Sequence, residues 1–158
     1  MPTTVTKTIR SSGGDYTTLS AWEAGRQAVN ADLTTADVIE VAECYNDWAS
    51  GLDDNVIIDG FTTDSTRYLK ITVAEGHRHN GTPQSGFFIS KTLNYNKIIN
   101  SLDNYTKFEW LDVYNSGNGD AIAFYTNATS NLVTNCIAGC TPGTGANVTF
   151  SLWSGTSV

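Results

Sequence analysis

The sequence predicts an all-β fold in which a stack of short strands follows one helix. Only residues 17–29 show an amphipathic helical pattern, and the rest of the chain is a succession of short apolar runs broken by Gly, Asn, Asp, Ser and Thr. A third observation is an approximate repeat late in the chain. A repeat of roughly 20–25 residues with strands and no helix has the length of one coil of a parallel β-solenoid. Neighbouring hairpins of a β-sandwich or jelly roll are the alternative.

Composition indicates one folded domain, residues 1–158, and excludes some classes of function. Charged residues make up 16% of the chain, below the roughly 25% of typical globular proteins, so Thr, Asn, Ser and Gly supply the polarity. The net charge of −7 comes without a basic stripe, so we expect no nucleic-acid partner. No apolar run approaches the roughly 20 residues that cross a membrane. We expect no membrane association, and synthesis in the cytoplasm without a signal peptide.

Hydrophobic periodicity and capping residues predict the N-terminal elements of the chain. Residues 1–12 are predicted to be a polar arm and a first strand, which alternates from Val5 to Ile9. A turn cluster follows, and then the helix over residues 17–29. Its predicted N-cap is Thr17 or Ser20, and its predicted C-cap is Asn30. The helix has a narrow apolar face, whose main anchors are Leu19 and Trp22.

The remaining chain, residues 37–153, is predicted to form the β-coils. Each predicted strand is short and rich in β-branched or aromatic residues: 37–42, 55–60, 68–73, 86–90, 97–99, 107–113, 121–124, 132–137 and 147–152. The repeat aligns 111–115 with 134–138 at an offset of 23, and 122–124 with 148–150 at an offset of 26. Each aligned pair encloses a Gly-rich turn.

A family resemblance enters at three segments. Residues 14–23, GDYTTLSAWE, resemble the start of right-handed parallel β-helix domains of the pectin-lyase-like kind, where a Gly-Asp-aromatic turn and one helix close the N-terminal end. Residues 37–47 and 58–68 look like the first coils after that cap, in a subgroup common among tailed-phage and prophage proteins. The resemblance covers about residues 5–75. It implies the fold and a phage origin, but this fold hosts unrelated functions.

Candidate catalytic groups are few. Polysaccharide hydrolases place carboxylates roughly 5–10 Å apart. The densest acidic group is Asp53, Asp54 and Asp59, and Asp112 and Asp120 lie on either side of a Gly-rich turn. Turn chemistry explains the first group, and no basic partner is evident for the second. We therefore expect no catalytic residue, and the motifs of β-helix polysaccharide hydrolases are not found in this sequence.

Metal and cofactor sites are equally scarce. The His-bearing cluster His77-Arg78-His79 lies in a predicted long loop, where Glu75 is the nearest further ligand. The odd number of cysteines, Cys44, Cys136 and Cys140, argues against a fully paired disulfide framework, and Cys136 and Cys140 lack the nearby His ligands and the second pair of a zinc site. The sequence predicts no metal and no cofactor.

These observations favour a non-enzymatic virion protein that decorates or cements a phage capsid. We expect a homo-oligomer, most simply a trimer, that binds the major capsid protein. The predicted interface residues belong to an apolar C-terminal segment that no second helix covers: Val148, Phe150, Leu152 and Trp153.

The alternative is a tail-fibre or tailspike-like component that binds or degrades a surface polysaccharide. In that case Asp53, Asp59, Asp112 and His77 would face one groove, with Tyr45, Trp48, Tyr95 and Tyr105 as candidate sugar-stacking rings.

Overall fold

The computed structural model describes residues 1–118 and 122–141, and the backbone of residues 148–152. The chain is mostly β, as predicted. Its elements are β1 (Thr3–Ile9), α1 (Leu19–Asn30), α2 (Leu33–Ala36), β2 (Val38–Cys44), β3 (Val56–Ile58), β4 (Leu69–Val73), a 3-10 turn (Glu75–His77), β5 (Ile89–Lys91), β6 (Lys97–Ser101), β7 (Thr106–Glu109), β8 (Asp112–Asn115), β9 (Ile122–Thr126), β10 (Leu132–Thr134), β11 (Ile137–Cys140) and β12 (Val148–Leu152).

The strands form three parallel sheets. The five-stranded sheet has the order β1-β2-β4-β7-β10, the three-stranded sheet β5-β8-β11 and the four-stranded sheet β3-β6-β9-β12. From β4 onward the chain visits the five-stranded, three-stranded and four-stranded sheets in turn, and then repeats that circuit. Every strand pair in the described residues is parallel. The predicted alternative, a sandwich or jelly roll, is built from antiparallel strands and does not fit this pairing.

Two strands predicted as continuous are each broken by a corner. The predicted strand 107–113 becomes β7 and β8, and 132–137 becomes β10 and β11. Trp110 and Asn135 lie at these corners with φ of 62° and 52°. Left-handed backbone is uncommon for a residue other than glycine, and Asn adopts it more readily than Trp. The corner at Trp110 was therefore harder to predict than the one at Asn135.

Stacking of the later strands corrects part of the predicted repeat. Ile122 pairs with Val148, which confirms the offset of 26. Asp112 pairs with Ile137, an offset of 137 − 112 = 25, so the predicted offset of 23 is wrong. The apolar pattern alone could not fix this register, because the left-handed corner interrupts it.

The N-terminal helix is confirmed, but its caps differ from those predicted. Thr18 is the N-cap, and its hydroxyl accepts a hydrogen bond from the Ala21 amide at 3.1 Å. Ser20 lies inside the helix and donates from its hydroxyl to Asp54 at 2.8 Å. Asn30 is the last helical residue rather than the C-cap. The Ser20 side chain therefore binds Asp54, which is distant in sequence, and does not form the capping box that the local pattern predicted.

A second helix, α2, was not predicted. It has only four residues, which is too short for a helical hydrophobic period. Asp32 caps it by accepting the Thr34 and Thr35 amides, both at 3.0 Å. Asp37 closes it in left-handed conformation, with φ of 54°. No helix among the described residues is long and apolar enough to cross a membrane.

The core lies between the three sheets and under α1. Its largest fully buried side chains are Trp22, Phe87, Phe108 and Phe124. Phe108 and Phe124 meet edge to face with ring centroids 4.7 Å apart, an arrangement aromatic pairs favour. This contact joins the five-stranded sheet to the four-stranded sheet across the core.

Asparagine side chains form hydrogen bonds between neighbouring turns of the chain. Asn115 is fully buried, and its Oδ1 accepts the Leu93 and Gly117 amides, each at 3.0 Å. Asn104 likewise accepts the Thr129 amide at 2.7 Å. Buried backbone donors at turns need such partners.

The turn before α1 gives a pH prediction. Asp15 accepts from the Thr8 amide at 2.9 Å and from Lys7 Nζ at 2.9 Å, and these bonds lower the pKa of its carboxyl to about 2. A depressed carboxyl pKa stabilises the fold above the unfolded pKa of roughly 4, and that contribution is lost as the pH falls toward about 2.

We therefore expect Asp15→Asn to be less stable than the wild type in neutral buffer, with the difference shrinking as the pH falls from about 4 to about 2. Urea unfolding of both proteins across that range measures it. A difference that stays constant down to the acid end would contradict the prediction.

Candidate functional site

A groove of about 380 Å³ runs over the outward face of the five-stranded sheet. Leu69, Ile71 and Val73 of β4 are buried in the core, so the alternating residues of that strand face outward. Register places Lys70 between Val41 of β2 and Lys107 of β7. The lining residues are Thr4, Thr6, Ile39, Val41, Glu43, Tyr68, Lys70, Thr72 and Arg78.

Charged side chains of both signs line this groove: Glu43, Lys70 and Arg78. Lys70 Nζ lies 2.7 Å from Glu109 Oε2, and both side chains are partly exposed. Glu43 accepts a hydrogen bond from the Tyr45 hydroxyl at 2.7 Å. That bond to a carboxylate is the main cause of the raised pKa of Tyr45. The groove therefore presents donors and acceptors side by side rather than a field of one sign.

Cations already contact the aromatic rings near the groove. Lys107 Nζ lies 3.5 Å from the ring centroid of Tyr68. The Arg10 guanidinium lies 4.4 Å from the Tyr45 ring, and that of Arg78 lies 5.0 Å from the Trp110 ring. Cation–π contacts of this kind are worth about 0.5–1 kcal/mol at exposed sites. A ligand that stacked on these same faces would have to displace the cations.

Thr72 is the unusual polar residue of the groove. It is only 8% exposed, and its hydroxyl oxygen is buried without a hydrogen-bond partner among the described residues. Register places it beside Glu43. Arg78 lies at the same end, where its Nε donates to the Val73 carbonyl at 3.0 Å. An unpaired buried hydroxyl costs free energy, so Thr72 is an unfavourable polar position in the sheet.

A second cavity of about 410 Å³ lies beside the three-stranded sheet. Hydroxyl side chains dominate its lining, which comprises Ser50, Gly51, Asp53, Ser90, Lys91, Thr92 and Ser116. Lys91 Nζ lies 3.2 Å from Asp53 Oδ1, and the Asp53 side chain is 81% exposed. An ion pair this exposed contributes little to stability.

The predicted acidic candidates do not share one groove. Asp54 is buried and accepts the Ser20 amide at 3.0 Å, so it belongs to the start of α1. Asp112 is buried and accepts the Gln84 amide, and burial raises the pKa of its carboxyl. Asp53 lines the second cavity. Asp59 lies near Glu23 and Asp103, and Asp120 is outside the described residues.

The histidine cluster is divided between two environments. His77 Nδ1 accepts the Asn46 amide at 3.1 Å. His79 is 6% exposed, and its Nε2 lies 2.8 Å from the Asn135 carbonyl oxygen. Glu75 opens the 3-10 turn and is exposed. The part of the chain that the structure describes contains no group of three or more His, Cys, Asp or Glu placed to hold a metal ion.

The structure describes the predicted anchors of α1 in full, but not the side chains of the predicted interface residues. Leu19 and Trp22 are fully buried, as expected of anchors for α1. Val148, Phe150 and Leu152 lie in β12, whose backbone pairs with β9, but their side chains are outside the description. Trp153 lies outside the described residues altogether. Their role in an interface stays a prediction.

Of the candidate stacking rings, only Tyr95 is largely exposed, at 77%. Trp48 is half-buried and meets Phe87 edge to face at 6.0 Å. Tyr105 is half-buried, with φ of 51°.

Sequence reasoning missed the groove residues Tyr68, Lys70 and Thr72. Their alternation with buried residues within the predicted strand 68–73 is the signal that could have found them.

Cys44 and Cys136 are free thiols. Cys44 is fully buried, and burial raises its pKa well above the ordinary value. Burial also raises the pKa of Cys136 to about 11. Thiols with such raised pKa values are poor nucleophiles.

Comparison with known proteins identifies no relative: no family model, no curated protein and no solved structure matches this chain.

Proposed function

We propose that the chain is a short right-handed parallel β-helix, closed at its N-terminal end by α1, that serves as a non-enzymatic structural protein of a phage virion. The circuit through three parallel sheets supports the solenoid, because successive strands stack at offsets of 24 to 26 residues in the later coils. The fully buried Leu19 and Trp22 support the role of α1 as the closing element.

The observation that carries the structural role is the difference between the two ends of the stack. In one inward-facing row of the five-stranded sheet, Ile71 and Phe108 are fully buried, whereas Val133 of β10 is half-buried. No described strand pairs with the outer edges of β10, β11 and β12. Open parallel edges over a half-buried core favour a covering partner. We propose that a second copy covers this end, in a trimer that binds the major capsid protein.

We expect Leu132→Asp to weaken assembly of the purified protein, because Leu132 is 45% exposed on β10, the edge strand of the five-stranded sheet at this end. Analytical ultracentrifugation measures the mass of the assembly. Ile57→Asp is the matched control, since Ile57 is similarly exposed, at 52%, on β3 of another sheet. A wild-type monomer at all concentrations, or equal effects of the two variants, would reject this interface.

The capsid role requires a separate test on particles. A decoration protein is present at a fixed ratio to the major capsid protein, and its removal lowers the temperature at which the particle releases its contents. Quantitative mass spectrometry of purified particles gives the ratio. A few copies per particle would indicate a tail component instead.

The groove on the five-stranded sheet favours a second candidate, a tail component that binds a surface glycan without cleaving it. Donors and acceptors on the partly exposed side chains of the groove, such as Lys70 and Glu43, suit hydroxyl groups of a saccharide. The dispersal of Asp53, Asp59 and Asp112 speaks against a carboxylate pair for hydrolysis.

Calorimetry with oligosaccharides of a host surface polysaccharide tests this candidate. We expect Lys70→Met to weaken binding at least about tenfold, because a charged hydrogen bond is worth about 1.5–3 kcal/mol. Lys91→Met, in the second cavity, is the matched control. Release of reducing ends would show cleavage and overturn the non-enzymatic assignment.

A further inference from the structure

The loop after β4 brings together the parts of an intramolecular reaction. Asn80 is followed by Gly81, whose φ of 95° only glycine adopts readily, and both residues are exposed. His79 precedes them and is almost fully buried. Three groups therefore lie next to one another: a side-chain amide, a backbone N–H without a neighbouring Cβ, and an imidazole fixed by packing.

The orientation of the His79 ring is set from both sides. Its Nε2 lies 2.8 Å from the Asn135 carbonyl oxygen, which can only accept, so Nε2 carries the proton. The unprotonated Nδ1 then accepts a hydrogen bond from the Gly81 amide at 3.3 Å. This is the arrangement of a general base: a third group fixes the tautomer, and the free nitrogen faces the N–H that must lose its proton.

The side chain of Asn80 is fixed by hydrogen bonds to residues that follow Gly81. Its Oδ1 accepts from the Thr82 amide at 3.1 Å, which folds the carboxamide back across Gly81. The Ser85 hydroxyl also lies 2.9 Å from Oδ1, and it shares its proton with the Thr82 carbonyl. Both donors point at the oxygen on which negative charge develops when the amide carbon is attacked, as in an oxyanion hole.

We propose that Asn80 is a self-modification site at which His79 catalyses conversion of the asparagine to aspartate and isoaspartate. His79 Nδ1 takes the Gly81 amide proton as the nitrogen forms a bond to Asn80 Cγ. The Cγ–Nδ2 bond breaks, and the amide nitrogen leaves as ammonia with a proton returned from His79. A cyclic imide remains. Water then opens it at either carbonyl, which gives aspartate or isoaspartate.

The product retains the contacts that hold the loop. A carboxylate in place of the amide accepts from Thr82 and Ser85 as the amide oxygen does, so the aspartate form fits the same turn. The chain gains one negative charge at an exposed position. Isoaspartate adds a methylene to the main chain between residues 80 and 81, which moves Gly81 relative to His79.

Peptide mass spectrometry of purified protein incubated in neutral buffer tests the proposal. Conversion adds about 1 Da at residue 80, and in isotopically labelled water the product carries one labelled oxygen. We expect Asn80 to convert about tenfold faster in the folded protein than in the same chain unfolded in urea, since the base acts only when the loop is folded. A folded rate equal to or below the unfolded rate overturns the proposal.

His79→Gln removes the base, and we expect it to slow conversion about tenfold in the folded state with no change in the unfolded state. His77→Gln is the matched control, because His77 lies in the same loop and contacts Asn46 rather than Gly81. Equal rates for the His79 variant and the wild type overturn the proposal. If the His79 variant does not fold, the wild-type comparison of folded and unfolded rates decides.

Discussion

Replacing Trp22 by alanine is expected to lower the free energy of unfolding by about 4 kcal/mol, the cost of truncating a fully buried large aromatic side chain. Trp22 and Leu19 form the buried face of α1, so truncation leaves a cavity between the helix and the strands below it. Urea denaturation measures the change. Because α1 packs against β1, β2 and β3, we also expect the variant to expose apolar surface there.

Two further variants of α1 separate packing from helix propensity. Val29→Ala should change stability by less than about 0.5 kcal/mol, because Val29 is 62% exposed on the same helix. Trp22→Phe should cost less than Trp22→Ala, since it keeps a ring and removes the indole N–H, which has no partner among the described residues. A loss below about 1 kcal/mol for Trp22→Ala would contradict the anchoring role.

Arg26→Met is expected to destabilise the protein by about 4 kcal/mol, because it leaves Glu40 charged and buried without its partner. Arg26 Nε and Nη2 bind the two carboxylate oxygens of Glu40 at 2.9 and 2.6 Å. The Glu40 side chain is fully buried and that of Arg26 is 9% exposed. The pair joins α1 to β2, inside the core.

The double variant Arg26→Met with Glu40→Leu should recover most of that loss, because two apolar groups replace the buried pair. Arg67→Met is the surface control. Arg67 binds Asp37 at 2.7 Å and Asp64 at 2.9 Å, but all three side chains are at least 31% exposed, so we expect a loss of at most about 1 kcal/mol. Equal losses for the Arg26 and Arg67 variants would contradict the argument.

The sequence predicted the β content and the helix well, because both depend on local periodicity. Alternation within 68–73 identifies Leu69, Ile71 and Val73 as one face, and the structure buries all three. The turn at Trp110 and the single-turn helix α2 gave no periodic signal, so they were missed.

The groove and the His79 site depend on contacts that local sequence does not encode. Lys70 and Glu109 lie in strands predicted separately, and only the parallel register brings them to 2.7 Å. The sequence singled out His79 as part of a histidine cluster. Its ring meets Gly81 in this geometry because the distant Asn135 carbonyl fixes the tautomer.

By itself, then, the sequence determined that this chain consists mainly of short strands with one helix of several turns near its N-terminus, since hydrophobic period and turn residues act over a few neighbours. Only the tertiary structure decided that the strands are parallel, how far apart stacked strands lie along the chain, and which polar groups meet. The physical reason is that strand register, buried ion pairs such as Arg26 with Glu40, and asparagine bonds between turns form between segments whose partners no local pattern specifies.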